Sequence, residues 1–460
     1  MLSTLGRLST PRHSKTLCFP WRRCFQTRSE YEVWRRKVTD STMPSPAIVS
    51  LPLRKEAPFL HSVSPMADHL ELSGTPARKV DRTSEKSPRD ALLQCKYPLS
   101  TDSLLRNSVT DFSNWSAFRL GKFYEIVDAL TADVAYRHCS DIHGETVTLV
   151  TAGHYHSRKF RRTNINDDVI LRAYVTNVGT SSMEIRTDAL QKDADGKEML
   201  LNVCHTIMVA LDDETGKPLG KVGKRVTPLV AETKDDEDRL VLAKQHSQIR
   251  SIRSAQAMQL RAPVSAPPTV EEMRGLHQLH QTRARRNEAG GKHSLPALPR
   301  VADYTFRSST VIFPEQRNVH GELFGGFVME EAQKLAQYAA TFFSKGEPVF
   351  ALGIDEAIFL QPISIGDMVT FTARLVHSTE HTCRVLVVVE VRDPAERQRV
   401  PVRSNRLMFV FGGSNFESGI VPETYSEMLM HIDALRRHEV EGPRQEEVRR
   451  ILEESDALEE

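Results

Sequence analysis

The sequence predicts an α+β protein built from two copies of one unit: a strand, a long helix opened by glycine, and an antiparallel sheet. Three observations carry this expectation. Two long helical patterns each begin beside a glycine, and each is followed by four short β-branched stretches. Setting Gly121 against Gly326, 205 residues apart, brings INDDVILRAYVTNVG into line with IGDMVTFTARLVHS. A chain of 460 residues and 52.0 kDa also exceeds what one hydrophobic core usually supports, which a duplication explains.

The elements follow in order. Between Met1 and Ser29 stand six basic residues (Arg7, Arg12, Lys15, Arg22, Arg23, Arg28) and no acidic one, the composition of a transit peptide. Arg7, Arg12 and Lys15 interrupt every candidate apolar core of a secretory signal, so residues 1–35 are expected to direct import into the mitochondrial matrix. Residues 36–90 are rich in Ser, Pro, Thr and charge without periodicity and read as a disordered linker. The first copy spans 91–215. Its helix is FRLGKFYEIVDALTADVAYRHC, with Phe123, Val127, Leu130 and Val134 at helical spacing, and its strands are ETVTLVTAGH, DVILRAYVTNVG, SSMEIRTDALQK and MLLNVCHTIMVALD. A partly helical connector covers 216–300. In it Thr269 and Glu272 can form a capping box for a short helix carrying Met273, Leu276 and Leu279. The second copy spans 301–438: strand YTFRSSTVIF, helix HGELFGGFVMEEAQKLAQYAATFF, then strands PVFALGIDEAIFL, DMVTFTARLVHS, TCRVLVVVEV and SNRLMFVFGG. A charged tail, 439–460, closes the chain.

Composition narrows the function. Sixty-one Lys+Arg against 60 Asp+Glu gives no general field for nucleic acid. The six cysteines form no C-x-x-C pair, and no stretch approaches the length of a membrane span. A G-x-S-x-G elbow is missing, which disfavours a serine-nucleophile hydrolase. His138, Cys139 and His143 lack a fourth ligand at suitable spacing, so neither metal nor cofactor is expected.

The segment N-V-H-G-E-L-F-G-G-F-V-M at 318–329 resembles the signature of hotdog acyl-CoA thioesterases. R-L-G-K-F-Y-E-I-V-D-A-L at 119–130 is similar to the degenerate Gly-then-Asp helix of the double-hotdog members, and V-P-E-T-Y-S-E-M-L-M-H-I-D-A-L-R-R-H at 421–438 to the end of their mitochondrial branch. The resemblance covers roughly 90–215 and 300–440 and implies tandem hotdog domains, acyl-CoA substrates and a homo-oligomer, a trimer of double units. It offers no counterpart for His154, Tyr155 and His156 and gives them no role.

Thioester hydrolysis needs a dipole on the carbonyl oxygen and a base to direct water. Gly325 and Gly326 lie where loop becomes helix, so first-turn N–H groups and the helix dipole can face a developing oxyanion. By resemblance Asn318, eight residues before Gly326, is the amide half of the catalytic pair. Asp128 follows Gly121 by seven residues and shares its helix face with Ala132 and Ala135, a setting that suits a general base. Each copy holds half of the pair: Ser113, beside Asn114, occupies the place of Asn318, and Gln333, near Glu331, that of Asp128. One competent site between the copies is therefore expected, and a second, inactive one. Gly121, His320 and Phe324 are candidate substrate-binding residues, and Arg374, Arg384, Arg403 and Arg406 candidate ligands of coenzyme A phosphates. The competing expectations are a non-catalytic acyl-CoA sensor or scaffold, and a hotdog enoyl-CoA hydratase, which would need an Asp and a His poised together.

Overall fold

The computed structural model describes residues 48–63, 67–75, 85–111, 118–139, 147–159, 161, 163–234, 236–241, 243–244, 267–288, 296–317, 321–395 and 401–441. The expected transit peptide and the tail beyond 441 lie outside them. In chain order the elements are β1 (Val49–Ser50), α1 (Leu53–Glu56), α2 (Pro58–Val63), β2 (Glu71–Gly74), β3 (Leu93–Tyr97), α3 (Ser103–Val109), α4 (Leu120–Cys139), β4 (Val147–Lys159), β5 (Val169–Val178), β6 (Ser182–Lys192) and β7 (Glu198–Asp212). Then come α5 (Val270–Glu288), β8 (Thr305–Val311), α6 (Gly325–Phe343), β9 (Val349–Phe359), β10 (Met368–Ser378), β11 (Thr382–Arg392), β12 (Val402–Gly413) and α7 (Tyr425–Glu441). No described helix is long and apolar enough to cross a membrane.

The strands form one twelve-stranded sheet, ordered β1-β2-β3-β5-β6-β7-β4-β9-β12-β11-β10-β8. Read outward from the β4–β9 seam, each copy gives the same sequence of strands, so the halves are related by a pseudo-two-fold axis. The seam is antiparallel and runs from Gly153 opposite Ile358 to Arg158 opposite Gly353. This is the tandem hotdog fold, with α4 and α6 as the two central helices.

Those helices can lie against each other because of two glycines. A Cβ at Gly326 would stand 2.8 Å from the Cα of Glu125, and one at Gly121 3.2 Å from the Cα of Glu330. Each contact is with backbone, which cannot move aside, so only glycine lets the axes approach this closely. The inner sheet face supplies the rest of the core: Ala373 and Leu375, Val385 and Val387, and Leu407 and Phe409 from the second copy join Val127, Leu130, Ala336 and Ala340 from the helices in one cluster. On the outer face, Val376, Leu386, Val388 and Met408 pack under Ala434 of α7. Both faces of that half are thus covered, which is why its strands read as almost unbroken apolar runs.

Residues 48–63 and 67–75 are not a disordered linker, contrary to their composition. β2 pairs with β3, and Ala57, Leu60, Leu70 and Leu72 are buried in the main core. Asp133 of α4 secures this segment by accepting the amides of Phe59 (3.1 Å) and Leu60 (3.0 Å). Short elements that pair with distant strands carry no internal periodicity, so the sequence concealed them. In the connector, Thr269 and Glu272 do form the capping box, but the helix runs 19 residues and docks on the second copy, where Arg436 clasps Glu272 through Nε (2.5 Å) and Nη2 (2.8 Å).

Candidate active site

Asp128 lies midway along α4 with 2 % of its surface exposed. A buried carboxylate needs donors, and β4 supplies two. Oδ1 accepts from Thr151 Oγ1 at 2.9 Å and from His154 Nε2 at 3.2 Å. Oδ2 is turned the other way, toward the start of α6, where a Cβ at Gly325 would stand 3.0 Å from it and 3.3 Å from the ring of Phe359. The two neighbouring glycines therefore have separate tasks: Gly326 admits the crossing helix, and Gly325 leaves room for the carboxylate. The N-cap of α6 is Phe324, whose side chain makes no capping hydrogen bond, so the first-turn N–H groups and the positive helix end face this region uncapped.

Asn318 and His320 lie outside the described residues. Among the described residues on either side, Arg317 and Leu323 form a β-bridge, Phe324 donates its amide to the carbonyl of Gln316 (3.1 Å), and Leu323 donates to that of Ile363 (2.9 Å). Phe324 is itself buried in the main core.

The pseudo-equivalent place is built from the same backbone and different side chains. Gly121 meets Gln333 Oε1, 2.9 Å from where its Cβ would be, as Gly325 meets Asp128. Gln333 donates through Nε2 to Gln337 Oε1 (2.9 Å). Ser113 and Asn114 lie outside the described residues. A cavity of about 30 Å³ opens at the N-terminal end of α4, lined by residues including Phe118, Leu120, Phe123, Asn202 and Ala351, on the side of Gly121 and not of Asp128. At the helix crossing, Lys122 pairs with Glu125, and Arg119 (3.0 Å) and Lys334 (3.2 Å) with Glu330. Burial pushes the Glu125 carboxyl above its ordinary range, Lys122 pulls it back and Glu330 adds to the rise.

The arginines do not gather here. Strand alternation puts Arg374, Arg384, Arg403 and Arg406 on the face that carries Leu386 and Met408 under α7, opposite the face that covers Asp128. Arg384 is almost wholly buried and pairs with Asp355 (3.2 Å), and Arg406 pairs with Asp433 (2.5 Å). Both act as struts for the outer face, so the expectation that Arg374 and Arg406 hold phosphates at this site is corrected. His138 is also structural: burial lowers its pKa to about 4, and Nε2 contacts the carbonyl oxygen of Thr227 (2.9 Å).

The sequence reading missed Thr151 and His154. Both sit on β4, the strand that follows the Asp128 helix, and that adjacency is the one signal the sequence offered for them.

Residues 320–397 match the family model of the Thioesterase superfamily. A mitochondrial acyl-coenzyme A thioesterase 4 of Humulus lupulus is 28% identical over 387 residues, covering 81% of this chain and 67% of the relative. Mitochondrial acyl-coenzyme A thioesterase 9 of Mus musculus is 25% identical over 401 residues, covering 83% and 82%. Alignments of that length span both copies and the connector. Over that length the chain is similar to mitochondrial acyl-coenzyme A thioesterases. Among solved structures, it is similar to an acyl-CoA hydrolase from Staphylococcus aureus in complex with butyryl coenzyme A and coenzyme A, at 21% identity and a TM-score of 0.30, covering 35% of this chain and 99% of that one. It is also similar to an acyl-ACP thioesterase from Bacteroides thetaiotaomicron, at 10% identity and a TM-score of 0.41, covering 71% and 100%.

Proposed function

We propose that the protein hydrolyses acyl-CoA thioesters to a carboxylic acid and coenzyme A at one site, where α4 of the first copy meets the N-terminus of α6 of the second. The observation that carries the reading is the Asp128 carboxylate, buried yet open through Oδ2 toward that helix end. Asp128 takes a proton from water as the water oxygen attacks the thioester carbon. The N–H groups at Gly325 and Gly326, with the amide of Asn318, receive the charge that develops on the carbonyl oxygen. Collapse of the tetrahedral intermediate breaks the C–S bond, and the proton held by Asp128 returns to the leaving thiolate.

The hydratase alternative requires an Asp and a His acting together on substrate. His154 does stand beside Asp128, but Nε2 is on the carboxylate and Nδ1 is 3.0 Å from Thr206 Oγ1, so both nitrogens are engaged. The sensor alternative draws on the altered Gln333 side. Release of free thiol from a series of acyl-CoAs decides among the three. Turnover that disappears in Asp128→Asn supports hydrolysis, binding without release selects the sensor, and loss of the enoyl chromophore without release selects the hydratase. The protein assayed should start before residue 48, because a chain beginning near Leu92 would lose Leu60 and Leu72 from the core.

The same reading extends to place and assembly. The basic, acid-free first 29 residues and relatives named mitochondrial support import into mitochondria, which cleavage of the precursor by isolated organelles tests. Assembly as a trimer of double hotdogs predicts three times the chain mass by light scattering.

A further inference from the structure

We propose that His154 is a positioning residue for Asp128: it selects which carboxylate oxygen serves as the base. The inference deepens the reading of Asp128 as general base and rests on it.

His154 is fully buried on β4. An ionised carboxylate only accepts hydrogen bonds, so the contact at 3.2 Å between Nε2 and Asp128 Oδ1 requires the proton to be on Nε2. In the neutral ring Nδ1 is then an acceptor, and Thr206 Oγ1, 3.0 Å away on β7, is placed to donate to it. The thiol of Cys204 lies on the same side, with Sγ 3.8 Å from Nδ1. The edge of Phe359, from the second copy, meets the ring in a T-shaped contact at 6.2 Å and holds its plane. The imidazole is thus fixed in tautomer by β7 and in orientation by β9.

Thr151 and His154 both bond Oδ1, so rotation of the carboxylate would forfeit two hydrogen bonds, and Oδ2 remains the oxygen that faces Gly325.

The test compares full-length Asp128→Asn, His154→Leu, His154→Gln, His154→Asn and Thr206→Val, with kcat and KM measured for each by thiol release. His154→Leu should lower kcat by about 10- to 100-fold, the scale of a misplaced catalytic group, with KM little changed. His154→Gln can put an amide N–H near the position of Nε2 and should restore most of kcat. His154→Asn is too short to reach and should not. Thr206→Val keeps the shape, frees Nδ1 and should cost about 2- to 10-fold, a modest hydrogen-bond loss.

Unchanged kcat in His154→Leu, with Asp128→Asn inactive, would overturn the role of His154 and leave the base in place. An active Asp128→Asn would overturn the base reading itself. If His154→Leu does not fold, the Gln, Asn and Val variants carry the test: equal activity in all three refutes the proposal, which requires Gln to reach the carboxylate and Asn to fall short of it.

Discussion

Two places in this molecule each set the head of one central helix against a polar side chain of the other, and the side chains differ. At one, Asp128 of α4 faces Gly325 at the head of α6; at the other, Gln333 of α6 faces Gly121 at the head of α4. Asp128 is gripped from behind by Thr151 and His154, whereas Gln333 Oε1 is buried with no hydrogen-bond partner among the described residues. The difference teaches that the pseudo-two-fold axis supplies a helix end and a facing side chain twice over, while chemistry depends on what stands behind that side chain. A neutral amide tolerates a poorly satisfied oxygen at a cost of about 1–3 kcal/mol, whereas a buried carboxylate left without donors costs more.

The comparison can be broken most sharply at the two facing side chains. Asp128→Asn, which preserves size and removes the proposed base, should reduce kcat by about 100- to 10,000-fold, while Gln333→Ala stays within about 2-fold of wild type in thiol release. A drop for Gln333→Ala equal to that for Asp128→Asn would mean that both places work. Asn318→Ala tests the other half of the pair, and a fall of about 100- to 1000-fold in kcat is expected if its amide meets the oxyanion.

The glycines separate chemistry from packing. Gly325→Ala presses a methyl against Asp128 Oδ2 and should lower kcat by about 10- to 100-fold through displaced geometry, with a small change in melting temperature. Gly121→Ala meets the backbone of Glu330 and should do the reverse, costing about 1–3 kcal/mol in urea unfolding with kcat nearly intact. If both variants lost activity and stability in equal proportion, the division of labour would be wrong.

The smallest expected effect concerns the support that only the first copy has, the segment from β1 to β2. Burial pushes Asp133 up to about 7, against the pull of the Leu60 and Phe59 amides. An unfolded Asp titrates near about 4, so between about pH 4 and 7 the folded protein holds the proton that the unfolded chain has released. This contribution to stability is fully present below about pH 4 and is lost as pH rises through about 7. Asp133→Asn should flatten the pH dependence of the urea midpoint over that window. A slope as steep as wild type would show that other groups set it.

The sequence by itself determined the duplication, the two glycine-led helices and all four strands that follow each. Periods of 2 and 3.6 and a recurring glycine are local properties, and they survive in a single chain read end to end. Three matters were left to tertiary structure. The stretch from 48 to 75 became part of the core only because β3 offers it an edge, a partner its own Ser- and Pro-rich composition does not announce. The arginines of β10, β11 and β12 could not be assigned a face, since α7 covers the outer side as thoroughly as α6 covers the inner, and an apolar run buried on both faces loses the alternation that would tell them apart. His154 could not be given a role beyond its place on the following strand, because a hydrogen bond between a strand and a helix 26 residues earlier is set by how the sheet wraps that helix, and burial decides what the bond is worth.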